Sequence, residues 1–315
     1  MSRSRELENG VEKVNDRLKN RAVIVTGSGQ GIGRAIAIAM VKESAMVVTN
    51  SRKPGTPGGD AETTAREIKY MGGQATPFFG DISDFEEARK LIQTTVDNFG
   101  RVDILVNNAG IATVNTAWNT TEAEWDQVVN SSLKGSFNCI RHASGLMIQQ
   151  RWGRIINATS AAWLGTMGLC SYSAAKAGVV GLTRAVARDV GSYGVTCNAY
   201  APSAATRMSA SPELIALYKK KYETGFFSKE QYEAVMNQPS PETVTPLLVY
   251  LCTDEAANIN GQVFEVSGSD IAIYSEPVRK RAIFKTDGLL TVDELIDLVP
   301  RTLLEGYKNP APTSV

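Results

Sequence analysis

The segment SYSAAKAG, Ser171 to Gly178, sets a phenol and an ammonium four residues apart among alanine, serine and glycine. On a helix, Tyr172 and Lys176 would share one face with nothing bulky between them. A phenol with a pKa of about 10 is a slow proton shuttle at neutral pH, and a cation one turn away stabilises the phenolate and draws that pKa toward the working range. The pair can therefore do acid/base chemistry on an oxygen. A core aromatic beside a solvated lysine has the same letters, so the pair must be read with the elements that position it.

Apolar runs of strand length alternate with helical patterns: AVIVT (22–26), MVVTN (46–50), ATPFF (75–79), DILVN (103–107), RIINA (154–158), VTCNAY (195–200) and QVFEV (262–266). Such runs suit strands covered on both faces, while segments such as 84–99 carry 3.6-residue apolar spacing with charges outside. The alternation predicts an α/β fold with a doubly wound parallel sheet of about seven strands. Residues 1–20 read as an N-terminal extension and 21–269 as one dinucleotide-binding catalytic domain. Between Pro202 and Glu242 no strand pattern occurs, which predicts a partly helical lid over about 203–242, although a plain insertion would read the same way. Residues 270–315 form a C-terminal extension, packed on the same domain or on a partner subunit, with a capped helix starting near Thr291.

Directly after the first run comes TGSGQGIGRA, with Gly27, Gly31 and Gly33 where a helix opens. The spacing is G-x-x-x-G-x-G rather than G-x-G-x-x-G, since Ile32 stands where the last glycine of the commoner pattern would be. A strand, a glycine turn and a helix in that order make a Rossmann-type dinucleotide site, because the backbone can approach a pyrophosphate at the positive end of the helix.

TGSGQGIG (26–33), GDIS (80–83), NNAG (107–110), RIINATS with Ser160, and YSAAK (172–176) follow one another in the order of the short-chain dehydrogenase/reductase family, and the chain resembles that family over roughly residues 20–268. The resemblance implies that the turn residues Gly27, Ser28, Gln30, Gly31 and Ile32 bind the cofactor, and that Asp81 and Ile82 meet its adenine. It places Asn107 with Asn108, Ala109 and Gly110 along the cofactor beside the fourth strand, and Pro202, Ser203 and Thr206 near the nicotinamide, with Thr206 on the carboxamide. Ser203 stands where the family usually has glycine. Tyr172 would exchange a proton with the substrate oxygen, Ser160 would hydrogen-bond that oxygen, and Lys176 would lower the phenol pKa and hold the nicotinamide ribose. Before LKG, where the family usually has an asparagine that helps hold a water linking the lysine to solvent, this chain has Ser132. Asn130 is no simple substitute, because two residues along an α-helix turn the side chain by about 200° unless a bulge shifts the register.

Cofactor choice rests on the end of the second strand, where an acid would bind the adenosine ribose and repel a 2′-phosphate. The chain reads VVTNSRKPG, with Ser51, Arg52 and Lys53 and no acid until Asp60. That composition favours NADP(H). NAD(H) stays possible, since relatives with a similar C-terminal extension often have aspartate at the Ser51 position, and a solvated basic turn would read alike. The extension, with SEP and FKTDGLLTVDEL, resembles the branch related to the hydroxyacyl-CoA dehydrogenase unit of multifunctional β-oxidation enzymes. This implies a small-molecule ketone or secondary alcohol as substrate, either a 3-oxoacyl thioester or an apolar cyclic or steroid-like compound. Trp163, Leu164, Met167, Phe226 and Phe227 are candidates for an apolar substrate pocket, and each could equally be core. The family also implies a homotetramer or homodimer.

Lys plus Arg equals Asp plus Glu at 33 each, so no net field favours nucleic acid or an anionic membrane. Cys139, Cys170, Cys197 and Cys252 form no CxxC, which suits neither a disulfide framework nor zinc and fits a reducing cytoplasm without a bound metal. No apolar run approaches the roughly 20 residues of a membrane span, and the charged first 20 residues show no secretory core. The single histidine, His142, is expected to be packed or at the surface. The alternative to an enzyme is a nicotinamide-nucleotide sensor or scaffold without turnover, suggested by Ser132.

Overall fold

The computed structural model describes residues 16–309. Its sheet runs β1 (Ala22–Val25), β2 (Met46–Ser51), β3 (Gln74–Phe79), β4 (Ile104–Asn107), β5 (Gly153–Ala158), β6 (Val195–Ser203), β7 (Val263–Ser267) and β8 (Asp270–Ile273) along the chain. Their spatial order is β3-β2-β1-β4-β5-β6-β7-β8. The seven strands expected from the apolar runs are parallel, and β8 adds an eighth that lies antiparallel on β7. Ser267 pairs with Asp270 across a tight turn in which Gly268 takes φ +60°, the left-handed conformation such hairpins require. All four β8 residues are exposed, so the strand carries no buried run that the sequence could announce.

The pleat sends alternate residues to opposite layers. Val23 and Val25 face a core with Ile36 and Met40 of α1 (Gly31–Lys42), Ile68 of α2 (Ala61–Tyr70) and Leu248 of α9 (Thr245–Leu251). Ile24 faces the other core, with Leu91 of α3 (Phe85–Phe99), Ile140 and Met147 of α5 (Gly135–Gln150) and Val186 of α6 (Cys170–Val190). Between α4 (Glu122–Val129) and α5 the helix makes one π turn, Asn130–Lys134.

Of the expected N-terminal extension, residues 1–15 lie outside the described residues. Residues 16–20 belong to the domain: Leu18 is buried in the first core and its amide donates to the Glu43 carbonyl at 2.9 Å. Residues 203–242, expected as a partly helical lid, hold α7 (Pro212–Glu223), capped by Ser211, and α8 (Lys229–Met236), capped by Ser228. In the C-terminal extension, α10 (Val292–Arg301) starts at the Thr291–Glu294 capping box, and none of its residues is buried. His142 packs against the Phe85 ring at 4.3 Å, and all four cysteines are free. No helix among the described residues is long and apolar enough to cross a membrane.

Candidate active site

β1 delivers the chain to a turn whose shape only glycine accepts. Gly27 and Gly31 take φ +63° and +56°, and a Cβ on Gly33 would lie 2.3 Å from the Gly27 carbonyl oxygen and 2.5 Å from Asn108 Nδ2. Gln30 caps α1 with extended backbone and no side-chain bond, which leaves the first helical amides open to a ligand. Thr26 Oγ1 accepts from the amides of Asn108 and Ala109, both at 3.0 Å, and so fixes this turn to the end of β4. Asn108 Nδ2 donates back to the Thr26 and Gly27 carbonyls.

These elements border a cleft of about 940 Å³. It brings together Gly27, Gln30, Gly31, Ile32, Ser51, Arg52, Lys53, Asp81, Ile82, Asn108, Ala109, Gly110, Tyr172, Lys176, Pro202 and Thr206, all expected from the sequence. Asp60, the nearest acid after β2, is committed elsewhere: its carboxylate accepts from the amides of Gly55 and Thr63, each at 2.8 Å, and those bonds lower its pKa.

Several expected site residues lie off the cleft. Ser28 is buried in a structural tie, donating to the Val25 carbonyl at 2.7 Å and accepting from the Asn50 amide at 2.9 Å. Ser203 is held in β6 opposite Ser267 of β7, since the strand pairing continues through Pro202. Asn107 is buried, with its amide bonded to Asn157 at 2.8 Å. Trp163, half-buried, packs against Val180, Ala199 and Val263 and against Tyr274 at 5.4 Å edge to face, and it does not line the cleft. Leu164 is exposed, Met167 is half-buried, and neither lines the cleft. Phe226 and Phe227 cluster with the ammonium of Lys221, which is buried, 5.7 and 5.1 Å from their centroids, and neither lines the cleft. The apolar cleft residues beyond those expected include Ile111, Ala112, Met208 and Leu214. Sequence reasoning missed them because an apolar letter in a loop does not say which side it faces.

α6 begins at Cys170, which puts Tyr172 in its first turn and Lys176 one turn later. The Ser160 hydroxyl, just beyond β5, is near enough to the Tyr172 phenol to lower its pKa, and it accepts from the Ala162 amide at 3.3 Å. Lys176 Nζ donates to the Ala158 carbonyl at 2.7 Å and lies 5.5 Å from the centre of the Tyr172 ring. The expected lowering of the phenol pKa by this cation is not what the protein alone displays. Burial pushes Tyr172 up to about 12, against a smaller opposing effect of Ser160, and the nearby Tyr218 phenol adds to the rise. Burial also draws Lys176 down to about 8. Both groups lose water, and desolvation favours the neutral form of each.

Ser132 lies in the π turn, 1% exposed, and its Oγ has no hydrogen-bond partner among the described residues. A Cβ on Gly110 would sit 3.0 Å from Ser132 Oγ and 3.4 Å from Lys176 Nζ, so the two side chains converge on the same glycine. The π turn is the kind of bulge that could have shifted the register, yet Asn130 remains exposed and Ser131 takes the place at the cleft wall.

The sequence profile of the short chain dehydrogenase family matches residues 21–213. A 3-oxoacyl-[acyl-carrier-protein] reductase of Synechocystis sp. is 37% identical over 254 residues, covering 80% of this chain and 97% of its own length. The (2S)-[(R)-hydroxy(phenyl)methyl]succinyl-CoA dehydrogenase subunit BbsD of Thauera aromatica is 35% identical over 254 residues, covering 80% of this chain and 96% of its own. Among solved structures, a short chain dehydrogenase from Mycobacterium avium superposes with a TM-score of 0.77 at 36% identity, over 94% of this chain and 98% of that one. These matches span the glycine turn, the sheet and the helix that carries Tyr172, and the chain accordingly belongs to the short-chain dehydrogenase/reductase family, as an NAD(P)-dependent oxidoreductase that interconverts ketones and alcohols.

Proposed function

We propose that the enzyme uses NADP(H) and reduces a 3-oxoacyl thioester to the 3-hydroxy compound, or runs the reverse reaction, with Tyr172 as acid/base. The observation that carries this reading is that Tyr172 and Lys176 meet at the wall of the cleft that begins at the glycine turn, with the Ser160 hydroxyl beside the phenol just behind that wall. The residues present fit a nicotinamide dinucleotide: open helical amides, a glycine cradle that a Cβ would fill, and a basic loop after β2. When bound, that cofactor supplies or accepts the hydride. Ser160 holds the substrate oxygen, and Tyr172 hands it a proton. A phenol pushed up to about 12 is fully protonated at neutral pH, which is the form needed to donate to a developing alkoxide. The thioester class is supported by the names of two relatives, one acting on an acyl carrier protein substrate and one on a CoA substrate. An assay of the purified protein against 3-oxoacyl-CoA and apolar cyclic ketones, with each reduced nicotinamide, tests it. Turnover confined to the cyclic ketones would overturn the substrate assignment.

The preference for NADP(H) rests on Ser51, Arg52 and Lys53 at the cleft and on the occupied carboxylate of Asp60. Changing Ser51→Asp and Arg52→Leu together removes a charge-assisted phosphate contact and adds repulsion, so NADPH affinity should fall and NADH affinity rise. Tighter binding of NADH than NADPH by the wild type would refute the assignment.

Ser132 supports a modified proton relay in an active enzyme rather than a silent nucleotide sensor. Its hydroxyl offers one donor and two acceptor sites beside Lys176, enough for a water to bridge where relatives use asparagine. Ser132→Asn should change kcat by no more than about tenfold, or about 1.4 kcal/mol in the barrier. A wild type that binds cofactor yet turns over nothing, together with an active Ser132→Asn variant, would restore the sensor reading.

A further inference from the structure

Arg207 follows Thr206 on the way from β6 to α7, and it is exposed at the wall of the cleft. Its Nη1 donates to the Pro57 carbonyl at 3.2 Å, across 150 residues of sequence, in the loop that joins β2 to α2. That loop is pressed onto the glycine turn. A Cβ on Gly59 would lie 2.5 Å from the Gly29 carbonyl oxygen, and one on Gly58 would lie 3.0 Å from Gln30 Oε1. At the other end of the same turn, a Cβ on Gly31 would meet Thr206 Cγ2 at 3.6 Å. The Arg207 side chain therefore leaves the chain next to Thr206, which stands over Gly31, and ends on Pro57, in the loop that touches Gly29 and Gln30.

Among the described residues no carboxylate pairs with Arg207, and a solvent-exposed bond from a guanidinium to a neutral carbonyl is readily exchanged for one to an anion. We propose that Arg207 is a ligand for a phosphate of the bound dinucleotide, supplied by the lid, and that it leaves the Pro57 carbonyl for an anionic oxygen when the cofactor enters. The inference rests on the NAD(P) dependence of the enzyme and is independent of which of the two cofactors is preferred. The pyrophosphate and the 2′-phosphate offer the same chemistry, and the two cofactors distinguish them.

The test is a fluorescence titration of wild type, Arg207→Met and Arg207→Lys with NADH and with NADPH, alongside thermal melting without cofactor. Loss of about tenfold in affinity for both cofactors in Arg207→Met, with partial recovery in Arg207→Lys, is expected if the partner is the pyrophosphate. The same loss for NADPH alone would assign Arg207 to the 2′-phosphate and would equally support the proposal. Unchanged affinity for both cofactors in an Arg207→Met protein that melts like wild type overturns it. So does an affinity loss that comes with a lowered melting point, since the arginine would then act only as a strut to Pro57. A wild type that prefers NADH would refute the NADP(H) assignment and leave the Arg207 comparison intact.

Discussion

Replacing Tyr172 with phenylalanine is expected to lower kcat by about 10² to 10⁴-fold while the cofactor dissociation constant stays near that of wild type. The ring keeps its place in the first turn of α6, so the wall of the cleft is preserved and only the hydroxyl is lost. Burial keeps the phenol of Tyr172 protonated well above neutral pH. Ser160→Ala should lower kcat in the same direction but by less, since the phenol keeps its proton when the neighbouring hydroxyl is gone. Stopped-flow measurement of nicotinamide oxidation, paired with fluorescence titration, separates the two quantities. A Tyr172→Phe enzyme that retained more than about a tenth of the wild-type rate would remove Tyr172 from the acid/base role, because a general acid contributes at least about a hundredfold.

The legibility of this fold in its sequence follows burial. β1, β4 and β5 are buried along their whole lengths, and their apolar runs could be read directly. β8 could not, because its four exposed residues become a strand only through the β7 edge and the turn at Gly268. Leu18 escaped for a related reason: a single apolar residue among charges shows no period, and its burial depends on the Glu43 carbonyl that fixes the chain there.

The glycine turn and the Tyr172–Lys176 pair were legible because their spacing is itself the chemistry. Ser28 and Trp163 have the right types in the right segments, yet one is a backbone tie and the other packs against a small apolar cluster away from the cleft. The π turn at Asn130–Lys134 has no pattern of its own and decides that Ser131, not Asn130, reaches the cleft. Spacing shows the charge one turn from Tyr172 and not the water the phenol loses, and it is that burial which raises its pKa in the protein alone. Arg207 was passed over since its partner is a backbone carbonyl, which leaves no trace in side-chain letters.

Lys176→Met should produce a protein that is more stable near neutral pH and close to inert. Lys176 is 3% exposed, and burial draws its pKa from the ordinary 10.5 to about 8. Below about pH 8 the lysine is charged in both folded and unfolded chains, so the folded state carries the full desolvation cost. Between about 8 and 10.5 the unfolded chain binds the extra proton, and wild-type stability from this group rises with pH as the cost is relieved. The shift corresponds to about 3 kcal/mol at neutral pH, from which about 1 kcal/mol is lost when the Ala158 carbonyl is left without its donor. A net gain of about 2 kcal/mol is expected, since methionine fills nearly the same space. Urea denaturation of both proteins near pH 7 and again near pH 10 should show this advantage shrinking as the pH rises. A difference that does not change with pH would mean that Lys176 is not the titrating group. The same substitution should weaken cofactor binding and cut kcat by at least about a hundredfold, since it removes the one ammonium that Gly110, Ser132 and the Tyr172 ring surround. Stability and activity would then move in opposite directions at one residue, the pattern of a charge kept in the core for what it does rather than for what it holds together.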